Sequence, residues 1–202
     1  MLTTRNVVLK YQDIVLRTPD RSEAENLFAL MTSDEKWTEF NGPYFAYSRP
    51  TFEEFYETTF SRLVKGVDAL AIEYGKNLIG TVTYYWEDPK TRWLEAGIVI
   101  YDSTLWSKGL GRKALIPWVT AIFDSLEIER VGLTTWSGNP GMIKCAESLG
   151  FAVEGILRKV RYYNGTYFDS VKMGVLREEW ESFIVNKSLQ QTRNKPLAKA
   201  IT

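Results

Sequence analysis

Apolar residues recur along the chain at two spacings, and the switches between them lay out the elements. Ile14 to Arg17 alternates as a short strand. Thr18-Pro19-Asp20 then opens a helix whose apolar positions Ala24, Leu27, Phe28 and Met31 fall at helical spacing. Thr51-Phe52-Glu53-Glu54 carries the capping-box signature of a second helix, with Phe52, Phe55, Phe60 and Leu63 as its buried stripe. Strands dominate the middle. Asp68 to Tyr74 and Leu78 to Trp86 form a hairpin across Gly75-Lys76-Asn77, and Leu94 to Tyr101 follows the turn at Glu87-Asp88-Pro89-Lys90. A further helix, Ala114 to Leu126, presents Leu115, Trp118, Val119, Ile122 and Leu126 on one face. Pro117 lies inside it, and an interior proline costs on the order of 3 kcal/mol, so this helix is expected to bend or to start later.

Val131 to Trp136 is the next strand. Asn139-Pro140 supplies an N-cap and a first-turn proline, and Gly150 ends the helix between them. Strand, helix, strand, helix in this order implies at least one parallel pair in the sheet. Phe151 to Tyr163 and Thr166 to Leu176 form a long hairpin across Asn164-Gly165, and Glu178 to Phe183 reads as a short last helix. From Val185 the chain is polar and basic without apolar period. At 202 residues and 45% hydrophobic content, one domain over 1–184 and a solvated tail over 185–202 are expected.

Composition narrows the chemistry. The chain has no histidine, which removes Ser-His-Asp and Cys-His systems, histidine-based zinc sites and imidazole as a general base; no metal site is expected. Acid–base work would fall to carboxylate, tyrosine, thiol, lysine or water. Lys plus Arg and Asp plus Glu both number 25, so no net charge is left to hold nucleic acid or an anionic membrane. One cysteine, Cys145, excludes an internal disulfide and fits a reducing compartment. No apolar leader and no run of about 18 apolar residues is present, so the expected location is the cytoplasm.

Two stretches carry candidate chemistry. Trp106-Ser107-Lys108-Gly109-Leu110-Gly111-Arg112 joins a strand to a helix. Its glycines permit a tight turn and close backbone approach, and free helix amides favour an anion by roughly 0.3 to 1 kcal/mol per contact. Lys108 and Arg112 add positive charge. A Gly-x-Gly helix entry is also a common plain turn, and here it is neither a P-loop nor a dinucleotide fingerprint. The second stretch, Trp37 to Pro50, sets Trp37, Phe40, Tyr44, Phe45 and Tyr47 among Gly42 and two prolines. It is either a loop covering the core edge or the aromatic wall of a small-molecule or peptide pocket. Asp34, Glu35 and Glu39 beside it are either solvated or a seat for a cationic acceptor.

The strand to Tyr101, the glycine turn, the Asn139 helix ending in Leu149-Gly150-Phe151 and the terminal hairpin together resemble the GNAT family of acetyl-coenzyme A-dependent N-acetyltransferases. Within it the likeness is to the Rim-type branch, which acetylates N-termini of ribosomal proteins. It spans roughly residues 10 to 183. The resemblance implies an α/β (α+β) fold: a mixed, mostly antiparallel sheet of six to seven strands, flanked by about four helices and splayed at strands 4 and 5. It implies that Ser107, Lys108, Gly109, Leu110, Gly111 and Arg112 hold the coenzyme pyrophosphate. Backbone groups of Val99, Ile100 and Tyr101 would meet the pantetheine arm and polarise the thioester carbonyl, with Asn139 nearby. Glu95, 14 residues before Gly109, matches the family's glutamate base; alternatively it is a solvated strand residue paired with a neighbour such as Arg92.

Met142 stands where many relatives carry the serine proposed to protonate the leaving thiolate, and a thioether cannot donate. Tyr101, Tyr162 or water would then serve, with Tyr101 the catalytic candidate, or the coenzyme leaves as thiolate. Cys145 reads as an apolar filler, and Asp169 as orienting an acceptor amine or as an ion-pair partner of Arg158 or Arg161. Trp37, Phe40 and Tyr44 are the acceptor-side candidates. The function implied is acetyl transfer from acetyl-CoA to a primary amine by direct attack, the acceptor a protein N-terminus or a small amine such as a polyamine or amino-sugar. A non-catalytic acyl-coenzyme A sensor is the alternative of another class. The terminal hairpin offers an edge at which a homodimer could form.

Overall fold

Eight strands pair into one sheet, ordered β1-β2-β3-β4-β5-β6-β8-β7. The computed structural model describes residues 6–193, with side chains through Lys187. The strands are β1 Val8–Tyr11, β2 Ile14–Arg17, β3 Ala69–Tyr74, β4 Asn77–Asp88, β5 Trp93–Ile100, β6 Arg130–Trp136, β7 Ala152–Tyr163 and β8 Thr166–Leu176. All neighbours are antiparallel except β5 and β6. The sheet thus has eight strands where six to seven are expected. The addition is β1, a four-residue edge strand with two exposed positions, and it moves the splay from strands 4 and 5 to β5 and β6.

The two tight hairpins form as their sequences require. Gly75 and Lys76 both take positive φ, as do Asn164 and Gly165, which is the backbone a two-residue turn needs to match strand twist.

Helices cover both faces. On one lie α4 (Leu110–Ser125), α5 (Pro140–Glu147) and α6 (Arg177–Arg193). Their buried residues, among them Leu115, Val119, Ile122, Ala146 and Trp180, meet Leu16, Ile72, Val82, Leu94, Val131 and Met173 of the sheet. On the other lie α1 (Ala24–Ser33), α2 (Phe52–Phe55) and α3 (Ser61–Lys65), around Leu27, Phe55, Phe60, Leu63 and Tyr101. α2 and α3 are one continuous helix joined through the π-helical turn Tyr56–Phe60. That turn answers a spacing problem. Phe55 and Phe60 are five residues apart, which an α-helix sets about 140° apart, and the wider π turn returns Phe60 to the buried side. Thr51 closes the expected capping box with Glu54.

Two boundaries differ from the pattern. α4 starts at Leu110, earlier than Ala114, so a later start is excluded and Pro117 sits in the helix interior. Its C-terminal end is held by Arg177, whose guanidinium donates to the carbonyls of Phe123, Leu126 and Ile128 at 2.8 to 3.0 Å, a cation placed where the helix dipole favours one. α6 runs from Arg177 to Arg193, past Phe183 and through the start of the expected tail; residues 194–202 of that tail lie outside the described residues.

Two outcomes follow for stability. Phe60 is 1% exposed, so Phe60→Ala is expected to lower the unfolding free energy by about 3 to 5 kcal/mol, read by urea denaturation. Glu23 pairs with Arg17 at 2.7 Å, which holds its carboxyl below the ordinary 4.5. A depressed folded-state pKa stabilises above the unfolded value and is lost as pH falls. The stability gap between wild type and Glu23→Gln is therefore expected to be full at neutral pH and to close as the pH drops below 4.5.

Candidate functional site

The parallel ladder between β5 and β6 is two pairs long: Leu94 with Val131 and Glu95 with Gly132. Both strands continue, to Ile100 and Trp136, but apart. A cavity of about 690 Å³ occupies the wedge, with the glycine turn and the start of α4 on one side and Asn139 to Ser148 on the other.

Strand register decides which backbone groups face it. Tyr101 donates its amide to the Ile79 carbonyl at 2.9 Å, and in an antiparallel pair this direction alternates. With Thr81 opposite Val99 and Gly80 opposite Ile100, Val99 and Tyr101 turn their amides to β4, while Ile98 and Ile100 turn theirs to the wedge. Of the three residues expected to meet the pantetheine arm, Ile100 turns its amide to the wedge, as does Ile98; Val99 lines the cavity but, like Tyr101, turns its amide to β4. The Ile100 carbonyl accepts from the Trp106 indole at 2.8 Å, which fastens the turn to the strand.

At the turn, Ser107 and Gly109 adopt positive φ, and Gly109 caps α4 with no side-chain acceptor. The first intrahelical donor is the amide of Lys113, bonded to the Gly109 carbonyl, so the amides before it are left for an external acceptor. Ser107, Gly109, Leu110, Gly111 and Arg112 line the cavity; Lys108, exposed, does not. Arg112 reaches across to the Ser148 carbonyl at 3.3 Å. The charged lining residues are Arg112 and Lys144, and among the described residues no Asp or Glu lines the cavity. That surface suits an anion.

The aromatic segment is both a cover and a wall. Trp37, Phe40 and Tyr44 line the cavity, and Phe40 meets Trp106 edge-on at 5.4 Å while Tyr44 meets Trp136 at 5.7 Å. It therefore straps the two sides of the wedge together. The Phe40 carbonyl accepts from the Trp136 indole at 3.0 Å and from the Asn139 side-chain amide at 3.3 Å. Asn139 thus lines the cavity with both ends occupied, since its Oδ1 accepts the Met142 amide as the α5 N-cap. Asp34 binds Ser103, and Glu35 binds Arg49 and Tyr47; both carboxyls are held below their usual range, chiefly by these hydrogen bonds. Both carboxyls are thus braced internally, Glu39 is exposed, and none of the three lines the cavity.

Glu95 is neither at the cavity surface nor solvated. It is 0% exposed, and its partner is Lys172 at 3.0 Å rather than Arg92, which pairs with Glu127. The Tyr85 hydroxyl donates to Oε2 at 3.1 Å, and the Thr134 hydroxyl donates to the same oxygen. Burial, then the Glu95 charge, raise the Tyr85 phenol. Tyr101 is a correction: strand alternation turns its side chain away from the wedge into the core under α1, where its hydroxyl meets Thr81 at 3.3 Å. Burial raises its pKa, and it does not line the cavity. Tyr162 is exposed on the hairpin, its ring tilted against Tyr167, and also outside the lining. Cys145 lines the cavity with burial pushing its thiol up to about 11, so it stays protonated at neutral pH.

Asp169 bonds neither arginine: it accepts the Lys159 amide at 2.8 Å within the β7 bulge, while Arg161 lies over the Tyr44 ring at 4.6 Å. The residues that sequence reasoning missed are Ile98, Thr134 and Lys172. The available signal was the threonine pair inside an otherwise apolar strand.

Residues 13–152 match the family model described as acetyltransferase (GNAT) domain. The chain is 29% identical over 112 residues to "SPbeta prophage-derived uncharacterized N-acetyltransferase YokL" of Bacillus subtilis (strain 168), covering 55% of this chain and 63% of that one. To "Putative ribosomal N-acetyltransferase YdaF" of the same organism it is 27% identical over 180 residues, 84% of this chain and 94% of that one. The fold superposes on a spermidine N-acetyltransferase from Vibrio cholerae, solved with CoA and spermine, with a TM-score of 0.68 at 21% identity, over 84% of this chain and 99% of that one.

Proposed function

The chain belongs to the acetyltransferase (GNAT) domain family, and from that premise we propose that it moves the acetyl group of acetyl-coenzyme A to a primary amine by direct attack. The observation that carries the reading is the wedge. A two-pair ladder that opens onto free helix amides provides an anion seat and a line of strand groups in one cavity. In this reading the amides at the start of α4, with Arg112, hold the pyrophosphate. The Ile98 and Ile100 backbone groups align the pantetheine arm, and one of their amides polarises the thioester carbonyl, the type of contact that usually supplies the largest catalytic term. Glu95, behind the cavity wall, takes up the proton released from the amine.

For the acceptor, the lining favours one amine flanked by apolar groups, as at a protein N-terminus. Several ammonium groups would need carboxylates, and among the described residues none lines the cavity. Trp37, Phe40 and Tyr44 instead offer rings, and the adjacent cation, Arg161, repels further positive charge. A small monoamine fits the same surface.

Two measurements bear on this. Calorimetric titration is expected to give micromolar binding of acetyl-coenzyme A, lost in Gly111→Glu, which places charge and volume among the converging amides. Gly111→Ala is expected to bind within a few-fold of wild type, because a Cβ there meets only Cys145 Sγ at 3.8 Å and two isoleucine methyls at 3.9 and 4.0 Å. No binding by the wild type would end the acetyltransferase reading. In a thiol-release assay, peptides with a free N-terminal amine are expected to turn over faster than spermidine; preference for spermidine would overturn the acceptor assignment alone.

A further inference from the structure

Glu95 presents a problem of access. It is the carboxylate on β5, the strand that forms one wall of the wedge, yet it is fully buried and absent from the cavity lining. The other acid–base candidates offer no free base at the cavity. Tyr101 belongs to the core under α1, the Cys145 thiol is protonated, and the chain has no histidine. Asp34 and Glu35 are tied to Ser103 and Arg49. One side chain joins Glu95 to the cavity lining. Thr134, on the diverging part of β6, lines the cavity and at the same time donates its hydroxyl to Glu95 Oε2. Among the described residues it is the lining hydroxyl that is bonded to a carboxylate. Ser148, by comparison, donates to the Cys145 carbonyl.

We propose that Thr134 is the proton relay between the acceptor amine and Glu95. The inference rests on the acetyltransferase reading and adds a residue to it. The amine nitrogen attacks the thioester carbonyl carbon, forming the C–N bond and a zwitterionic adduct. Its nitrogen gives a proton to Thr134 Oγ1 while the Thr134 hydroxyl proton passes to Glu95 Oε2, leaving the hydroxyl intact and the carboxyl neutral. Collapse of the adduct breaks the C–S bond, and coenzyme A leaves as thiolate. The proton on Glu95 returns through the same hydroxyl to water in the vacated cavity.

Surrounding groups keep Glu95 in one place for this. Lys172 Nζ holds Oε1 at 3.0 Å, and Tyr85 holds Oε2 at 3.1 Å. Lys172 also reaches Glu87 at 3.6 Å, so the cation stays paired when Glu95 is protonated. The nitrogen of the adduct is far more acidic than a free amine, which makes a lysine-bound carboxylate base enough for the transfer.

A hydroxyl that only satisfied a buried carboxylate would affect stability; a relay affects the proton step. The test is a double-mutant cycle on the full chain with an N-terminal-amine peptide, thiol release as turnover and calorimetry for acetyl-coenzyme A. Thr134→Val removes the hydroxyl at nearly constant volume and is expected to lower kcat/KM about a hundredfold with coenzyme affinity unchanged. Thr134→Ser is expected to recover most of that loss. Glu95→Gln should fall by a comparable factor, and the double variant should fall no further, because members of one relay are not additive. Wild-type turnover in Thr134→Val, failure of serine to rescue, or losses that multiply in the double variant would each overturn the relay while leaving the acetyltransferase reading in place. Absence of coenzyme binding and thiol release in the wild type would overturn that reading and the relay with it.

Discussion

A ladder that stops after two residue pairs is the constraint around which the rest is arranged. Beyond Glu95 and Gly132 the facing edges of β5 and β6 lose each other as partners, and a buried backbone group left without a partner costs roughly 1 to 3 kcal/mol. Such an opening persists in the middle of a sheet only if other groups meet the freed donors and acceptors. Trp106 supplies one such group to Ile100. The flanks are secured independently: β5 by its full pairing to β4, β6 by its full pairing to β8. The gap is thus held open by two rigid half-sheets, joined at their closed end by Leu94 and Val131 in the core. α4 begins beyond the open end of β5, and its first amides, which a helix does not satisfy from within, are left at the cavity.

The face of the sheet opposite α4 carries a different device. Glu95, Lys172, Glu87, Tyr85 and Thr134 form one hydrogen-bonded and ion-paired group, with its only fully buried charge at the centre. An ion pair of this kind is weak evidence for stability, because removing two charges from water offsets most of their attraction. A leucine and a methionine of similar volume would close the same space with less at stake. What such a group does provide is a fixed position for a carboxylate beside a cavity whose own lining has none.

Local chemistry was legible in the sequence wherever a few residues dictate a conformation. The Thr51 capping box, the Asn139-Pro140 helix start, the Gly150 stop and the Asn164-Gly165 hairpin stand as their residues require. The glycine turn and the three aromatic residues also converge on one cavity. The rest depended on register and depth, which no local pattern encodes. One step of strand alternation decides that the amide of Ile98 rather than that of Val99 faces the wedge, and that Tyr101 points into the opposite core. Burial of Glu95 follows from Lys172, a residue 77 positions away. β1 was missed although it is no shorter than β2: two of its four positions are exposed and it has one neighbour, so little in its residues marks a strand. The end of α6 was missed because a helix with polar residues along its last turns shows no buried stripe.

The strap from Trp37 to Tyr47 is attached through its backbone at Phe40, whose carbonyl takes two donors from β6 and the α5 cap, while its tip at Phe45 is 65% exposed. Anchorage and recognition are thereby assigned to different atoms. Main-chain attachment at Phe40 is indifferent to side-chain identity, so the hold on Trp136 and Asn139 survives a change of ring even where the edge-on contacts to Trp106 and Trp136 do not. A scaffold built this way can diversify in what it modifies while inheriting, unaltered, how it holds the group it transfers.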